Sequence, residues 1–260
     1  MGTNKLTVGI PFHNVDDYVI RSAHAVASNC REVGAEFQLL LADDYSSPDC
    51  KVVQGVEDIP EAKVIKVVSP YGTNPNLGLA VNMMLDQVRP DDDFYWNVES
   101  DVYPELGCLR ELIKVLEQRD DISAVRGSHV LHFKNGIFLH PNELKPQRWG
   151  HLTCFLVRGK HARDKRIRIE EDKFRLWFAD LDYGCVLTYY SRLYSVATEN
   201  ALFKHLRGST IHSISDREWL IKVRDGVLTG DEANSYSHNK WKKVLFNDGL
   251  VWCKGGWELL

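Results

Sequence analysis

The sequence predicts an α/β fold: a Rossmann-like, mostly parallel central sheet flanked by helices, with a helical extension at the C-terminus. Three observations carry this. Short runs rich in β-branched and aromatic residues alternate with segments of helical periodicity through the first half of the chain. Three of those runs lead straight into polar clusters, namely His13 with Asn14, Asp43 with Asp44, and Glu99 through Asp101. Carboxyl ends of parallel strands share one edge of a sheet, the edge where ligands bind, so the three clusters converge there. No repeat, low-complexity tract or composition break marks a linker, and 260 residues suit one α/β domain.

The first strand is expected over 6–10, closed by Pro11, Phe12, His13 and Asn14. A helix follows over 15–33, with Val19, Ile20, Ala23, Val26 and Ala27 at helical spacing and Gly34 as its stop. Residues 37–42 form a second buried strand. Ser47 or Asp49 then caps a short helix through the fifties. A third strand spans 64–68, and a helix begins near Leu79 and carries Val81, Met84, Leu85 and Val88. Phe94, Tyr95, Trp96 and Val98 make the fourth strand, bounded by the turn at 90–93 and by Pro104. Strands alternating with helices in this way imply right-handed crossovers.

Later elements are an amphipathic helix over 105–119 (Leu106, Leu109, Leu112, Ile113, Leu116), a strand over 122–126, a hairpin turning at Asn135 and Gly136, and a strand over 153–157. The run 158–168 holds six Lys or Arg against one Asp, and reads slightly better as a solvated face than as an anion site. Asp180 opens an apolar helix, where an acid suits the dipole without any function. Strands are expected over 193–196 and from Phe203, two charged helices over 214–247, and an irregular tail over 251–257.

Composition excludes several classes. A net charge of −4 supplies no basic field for nucleic acid. The 44% hydrophobic and 26% charged contents are those of a water-soluble globular protein, and no apolar run approaches a membrane span. Six scattered Cys without a Cys-x-x-Cys pair, and an opening that leads into a strand rather than a signal peptide, favour reduced thiols and a cytoplasmic setting.

The chemistry gathers at Glu99 and Asp101. In an extended chain residues i and i+2 project to the same side, so the two carboxylates aim at one point and can hold a hard divalent cation against a phosphorylated ligand. As an isolated pair they would more often be solvated loop acids. The order of the other clusters changes that weighting.

Taken together the motifs resemble the family-2 glycosyltransferases, over about residues 6 to 247. The pieces are residues 8–14 for the opening strand, 41–49 for a DDxSxD-like loop, and 76–82 for an NxGxxxxN-like helix entry. Glu99-Ser100-Asp101 stands at the family's Asp-x-Asp, 179–182 at the segment that carries the catalytic base, and 204–210 at its late HxxGxS strand. Glu99 departs from the first metal-motif Asp, and Ala179 from the first acid of the base segment.

The resemblance implies a GT-A fold, with 1–104 as the nucleotide-sugar half, 105–213 as the acceptor and catalytic half, and 214–260 as a helical extension. It implies inverting transfer from a nucleotide-sugar donor to an acceptor hydroxyl, assisted by Mn²⁺ or Mg²⁺. Asp101 is then the direct metal ligand, with His205 as a further one and Glu99 on the ribose or behind the metal; Ser100 lies between the two acids. A His in the set favours Mn²⁺, while a plainly packed His205 is an even alternative. Pro11, His13 and Asp44 are implied at the base and ribose, where Asp44 as acceptor from a uracil N–H weakly favours a uridine donor. His13 instead capping the following helix, and Asp43 instead pairing with backbone N–H groups, are the bland readings. Asn76 and Asn82 either bind donor phosphates or fix the loop, and Gly78 is structural. Asp180 is the implied base, with Asp182 in reserve. Trp149, Trp177, Tyr189 and Tyr190 are candidates for sugar stacking, though such aromatics more often belong to the core.

Two rivals remain at this point. A sugar nucleotidyltransferase would open with a Gly-rich loop after the first strand, where Pro11 to Asn14 stand instead. A non-catalytic nucleotide-sugar or glycan-binding protein of the same fold is kept open by Ala179.

Overall fold

Alternation of apolar residues on both faces of the first strands means that the sheet must be covered on both sides. A computed structural model describes residues 3–70, 75–129, 145–147, 153–175, 179–206, 235–236, 239–241, 250–253 and 256–259. The first half runs β1 (Lys5–Phe12), α1 (Asp16–Glu32), β2 (Glu36–Asp43), α2 (Val52–Gly55), β3 (Ala62–Lys66), α3 (Leu77–Leu85) and β4 (Phe94–Val98). Then come β5 (Val102–Pro104), α4 (Cys108–Gln118), β6 (Ile122–His129), β7 (Lys145–Gln147), β8 (Cys154–Arg158), α5 (Gly159–Ala162), α6 (Ala179–Ser191) and β9 (Tyr194–His205). A hairpin of β10 (Leu250–Cys253) and β11 (Gly256–Leu259) follows.

The main sheet has the order β3-β2-β1-β4-β8-β6-β9-β5, with β7 also on β9. β3, β2, β1 and β4 are parallel neighbours, as the alternation predicts. β8 pairs antiparallel with both β4 and β6, β6 runs parallel to β9, and β5 is antiparallel to β9. Chain order reverses between β1 and β4, and a ligand crevice opens at such a reversal.

Period-two alternation sorts the core. Leu6, Val8, Ile10, Leu39, Leu41, Trp96 and Val98 face α1 and α4. Leu40, Ala42 and Tyr95 face the other layer, which holds α3 and α6 with Ile167, Ile169 and Phe174. α1 buries Val19, Ala23, Val26 and Cys30 along one stripe, sets Asp16 and Asp17 in its first turn and Arg31 in its last, and stops before Gly34 at φ +65°. Pro11 is tolerated in this central strand because the ladder with β4 has ended at the pair Gly9 and Asn97.

Several expectations shift. Ser47 and Asp49 bond to each other and leave α2 without a side-chain cap; Asp16 instead reaches across from α1 to accept the Lys51 N–H at 2.7 Å. Leu106 lies before α4 and is 70% exposed. β9 is one strand of 12 residues rather than two. The tail is a hairpin rather than irregular. The turn at Asn135 and Gly136, Trp149, Trp177 and most of 214–247 fall outside the described residues.

The basic run is mostly spent on the fold. Arg158 donates to the carbonyls of Ile122, Leu116 and Arg119, and Arg163 to those of Arg89 and Asp92. Arg168 binds Asp86 and three carbonyls. Among the described residues Cys30, Cys50, Cys108, Cys154 and Cys185 are free thiols, and no helix is long and apolar enough to cross a membrane.

Candidate active site

Gly9 on β1 faces Asn97 on β4. His13 and Asp101 each lie four residues further along, on the same edge of the sheet. This edge collects the predicted residues in two groups.

The first group surrounds Asp44. The His13 Nδ1 lies 2.6 Å from the Asp44 carbonyl, which only accepts, so this nitrogen carries the proton. Nε2 then accepts from Asn14 Nδ2 at 3.0 Å. Burial lowers the His13 pKa and keeps the ring neutral. His13 thus ties the end of β1 to the end of β2, and no side chain caps α1. Asn14, at φ 50°, continues the tie by accepting the Ser47 N–H at 2.7 Å. Asp43 accepts from the Ser46 N–H at 2.8 Å and pairs with Lys66, which is the bland reading of it.

The Asp44 side chain differs. Its Oδ2 accepts the Asn76 N–H at 2.6 Å, whereas Oδ1 is buried without a hydrogen-bond partner among the described residues. Burial pushes its pKa up to about 7, with Asp43 adding to the rise and the Asn76 N–H opposing it. A buried acceptor left open on one side is costly unless a ligand donor completes it.

Asn76 and Asn82 hold the neighbouring loop. Asn76 caps α3 by accepting the Leu79 N–H at 2.9 Å, and donates to the Glu171 carbonyl at 3.1 Å. Asn82 donates to the Ile169 carbonyl and the Glu171 carboxylate, and accepts the Ile169 N–H at 3.0 Å. Gly78 permits the close passage of this strap: a Cβ there would sit 2.7 Å from the Phe174 carbonyl oxygen. Glu171, the partner of both asparagines, carries no motif that would reveal it in the sequence.

The second group is Glu99, Asp101 and His205. β5, a strand absent from the sequence reading because its partner lies a hundred residues on, pairs Val102 with His205. This pairing brings the imidazole beside both acids, with Nε2 at 3.4 Å from Asp101 and 3.5 Å from Glu99. One ligand atom from each of the three residues lies within 4.8 Å of the others. Two carboxylates and an imidazole at this spacing fit a divalent transition-metal ion. Glu99, expected on the ribose or behind the metal, lies in the same cluster as Asp101 and His205. Ser100 is buried between the two acids.

The Glu99 pKa is raised to about 7, first by burial and next by the charge of Asp101, while His205 opposes and Asp180 adds to the rise. Asp180 itself is half-buried in the first turn of α6.

Asp182, the reserve base, is enclosed by its surroundings. It is fully buried, with Oδ1 accepting from Lys240 at 2.8 Å and from Trp241 Nε1 at 2.9 Å, and Oδ2 from the Glu170 N–H at 2.9 Å. Tyr189 packs against Trp241, and Tyr190 lies under the Arg166 guanidinium at 5.2 Å.

No protein-family profile matches the chain. A curated relative, undecaprenyl-phosphate 4-deoxy-4-formamido-L-arabinose transferase of Proteus mirabilis (strain HI4320), is 23% identical over 124 residues, covering 47% of this chain. The chain spans only 37% of that relative's length. Among solved structures, S. aureus TarS 1-349 superposes with a TM-score of 0.58 at 14% identity, covering 92% of this chain and 73% of that one. The same protein in complex with UDP gives 0.55 at 14% identity, covering 90% and 70%. GalNAc-T7 with UDP, GalNAc and Mn²⁺ gives 0.60 at 11% identity, covering 90% and 50%. The chain has the GT-A fold of these proteins, and over 124 residues it is similar in sequence to the curated transferase.

Proposed function

We propose that the protein is an inverting glycosyltransferase that moves a sugar from a UDP-linked donor to an acceptor hydroxyl. The observation that carries this is the grouping, on one sheet edge, of the Glu99, Asp101 and His205 cluster with Asp180 in charge reach of it and the half-open Asp44 carboxylate at the neighbouring strand end. Asp44 Oδ1 accepts from the N3–H of uracil, and Pro11 and His13 shape the pocket beside it. Asn76 and Asn82 set the loop that passes over the donor, a role supported by the two donated bonds of the Asn82 amide and by the Asn76 side chain capping α3 and donating to the Glu171 carbonyl. Asp101, Glu99 and His205 hold Mn²⁺, with Mg²⁺ as a substitute. The ion supplies Lewis-acid neutralisation of the charge that develops on the departing diphosphate. Asp180 takes the proton of the acceptor hydroxyl as it attacks, and a single displacement on the face opposite the leaving group inverts the anomeric carbon. Two of the similar structures contain UDP, and one of these contains Mn²⁺, which supports the donor and metal parts of the reading.

A second acceptor class is favoured by one observation, the undecaprenyl phosphate in the name of the curated relative. A phosphate oxygen is already anionic near neutral pH and needs no base. The half-buried Asp180 beside the cluster supports the hydroxyl instead.

The test is titration of UDP, GDP and dTDP with Mn²⁺ at two pH values. Oδ2 already accepts the Asn76 N–H, so a proton on Asp44 would sit on Oδ1, and Asp44 must be ionised for Oδ1 to accept the N3–H. With its pKa at about 7, the ionised fraction rises about tenfold between about pH 6 and pH 8, and UDP affinity should tighten accordingly. Glu99, also raised to about 7, adds a slope of its own when Mn²⁺ is present. Asp44→Asn, which keeps an acceptor oxygen but cannot ionise, is therefore compared without the metal ion, where it should lose most of the slope. The same group makes the unliganded fold less stable as pH rises through about 7, because its folded pKa lies above the unfolded value. Preference for GDP, or an identical pH slope in Asp44→Asn, would remove Asp44 from the base pocket.

A further inference from the structure

Resting on that transfer reaction, we infer that Lys240, far along the chain from the rest of the site, is a positioning residue that fixes the catalytic helix turn carrying Asp180. The ammonium bonds two acids at once, Asp182 at 2.8 Å and Glu170 at 2.7 Å. Tyr236 donates to the other oxygen of Glu170 at 2.7 Å, and Trp241 donates to Asp182 at 2.9 Å. The Glu170 N–H closes the loop onto Asp182 at 2.9 Å. Lys240 is further enclosed by the Trp241 and Phe174 rings, 4.9 and 5.5 Å from its nitrogen. Three donors from fixed directions on one fully buried carboxylate set the rotation and height of the first turn of α6, and Asp180 lies two residues before that carboxylate.

A buried ion pair is a poor device for stability alone, because removing two charges from water offsets most of their attraction. Apolar residues of the same volume would pack α6 equally well, but they would not fix its register. The donor loop is supported by Asn76, Gly78 and Asn82, which meet Ile169, Glu171 and Phe174 on the segment that also carries Glu170. Asp182 instead accepts from Lys240, Trp241 and the Glu170 N–H. Its bond to Asp182, two residues from Asp180 in the same helix turn, is what directs the effect of Lys240 to the step that needs Asp180.

The experiment uses the full chain and the donor that the wild type turns over. Lys240→Met is expected to lower kcat by about 10²-fold, the effect of displacing a reacting group by about 1 Å. Its UDP affinity with Mn²⁺ should stay within about threefold, and Lys240→Arg should recover most of the kcat. Tyr236→Phe removes one bond of the clamp and should give a smaller loss of kcat with the same unchanged affinity, which keeps the test open if Lys240→Met does not fold. Hydrogen exchange gives a readout independent of turnover: amides 179–183 should lose protection in Lys240→Met or Tyr236→Phe, while 77–85 keep theirs. The inference is overturned if kcat stays within about threefold, if kcat and UDP affinity fall together, or if exchange at 179–183 is unchanged. A wild type that turns over no donor while its variants show the expected exchange pattern would count against the transfer reaction and not against the clamp.

Discussion

Asp180→Asn is expected to lower kcat by about 10³-fold while UDP affinity in the presence of Mn²⁺ stays within about twofold. The substitution keeps the size of the side chain and its place in the first turn of α6, and removes only the ability to accept a proton. Positioned general bases contribute between about 10² and 10⁴ in rate, and a hydroxyl nucleophile sits at the upper part of that range because its own pKa is far above neutral. Removing the negative charge also relieves Glu99, whose pKa Asp180 helps to raise, so metal-dependent donor binding is preserved or slightly improved. Wild-type turnover in the Asn variant would end the assignment. Turnover within about tenfold of wild type with a lipid-phosphate acceptor, alongside loss with hydroxyl acceptors, would transfer the protein to the phosphate class.

Asp101→Ala is expected to give the opposite pattern. The variant should bind UDP with nearly the same affinity with and without Mn²⁺, whereas the wild type should gain about 10²-fold from the metal ion, read by calorimetry. Asp101 is buried, its backbone carbonyl accepts the Leu206 N–H at 3.1 Å, and its carboxylate lies 3.4 Å from His205 Nε2. Removing it leaves Glu99 and His205 without the anion between them and takes the strongest oxygen ligand from the set. A Mn²⁺ dependence in Asp101→Ala equal to that of the wild type would place the ion elsewhere.

Local patterns were legible where short-range chemistry decides. The β1 to β4 strands, α1 with its stop at Gly34, and the buried stripe of α4 all follow from periodicity and turn residues. The candidate acids Asp44, Glu99 and Asp101 stood out because they follow strands directly. Long-range pairing was not. β5 exists only because three residues meet β9, so the approach of His205 to Glu99 and Asp101 was an implication of resemblance and not of spacing. The same holds for Asp182, where nothing near it in sequence reveals that Lys240 and Trp241 close over it. Glu171 was missed for the same reason, since its partners Asn76 and Asn82 lie on the opposite side of β4 in the chain. Buried polar residues whose partners are remote look identical, in one sequence, to residues that wait for a ligand.

The account as a whole stands on the metal cluster and the Asp44 pocket belonging to one donor. Crystals grown with UDP and Mn²⁺, measured at the manganese absorption edge, test this most directly. An anomalous peak among Glu99, Asp101 and His205, with the uracil ring against Asp44 Oδ1, is the expected result. A peak remote from Asp101, or a nucleotide whose base lies away from Asp44 while its phosphates reach no metal ion, would contradict it.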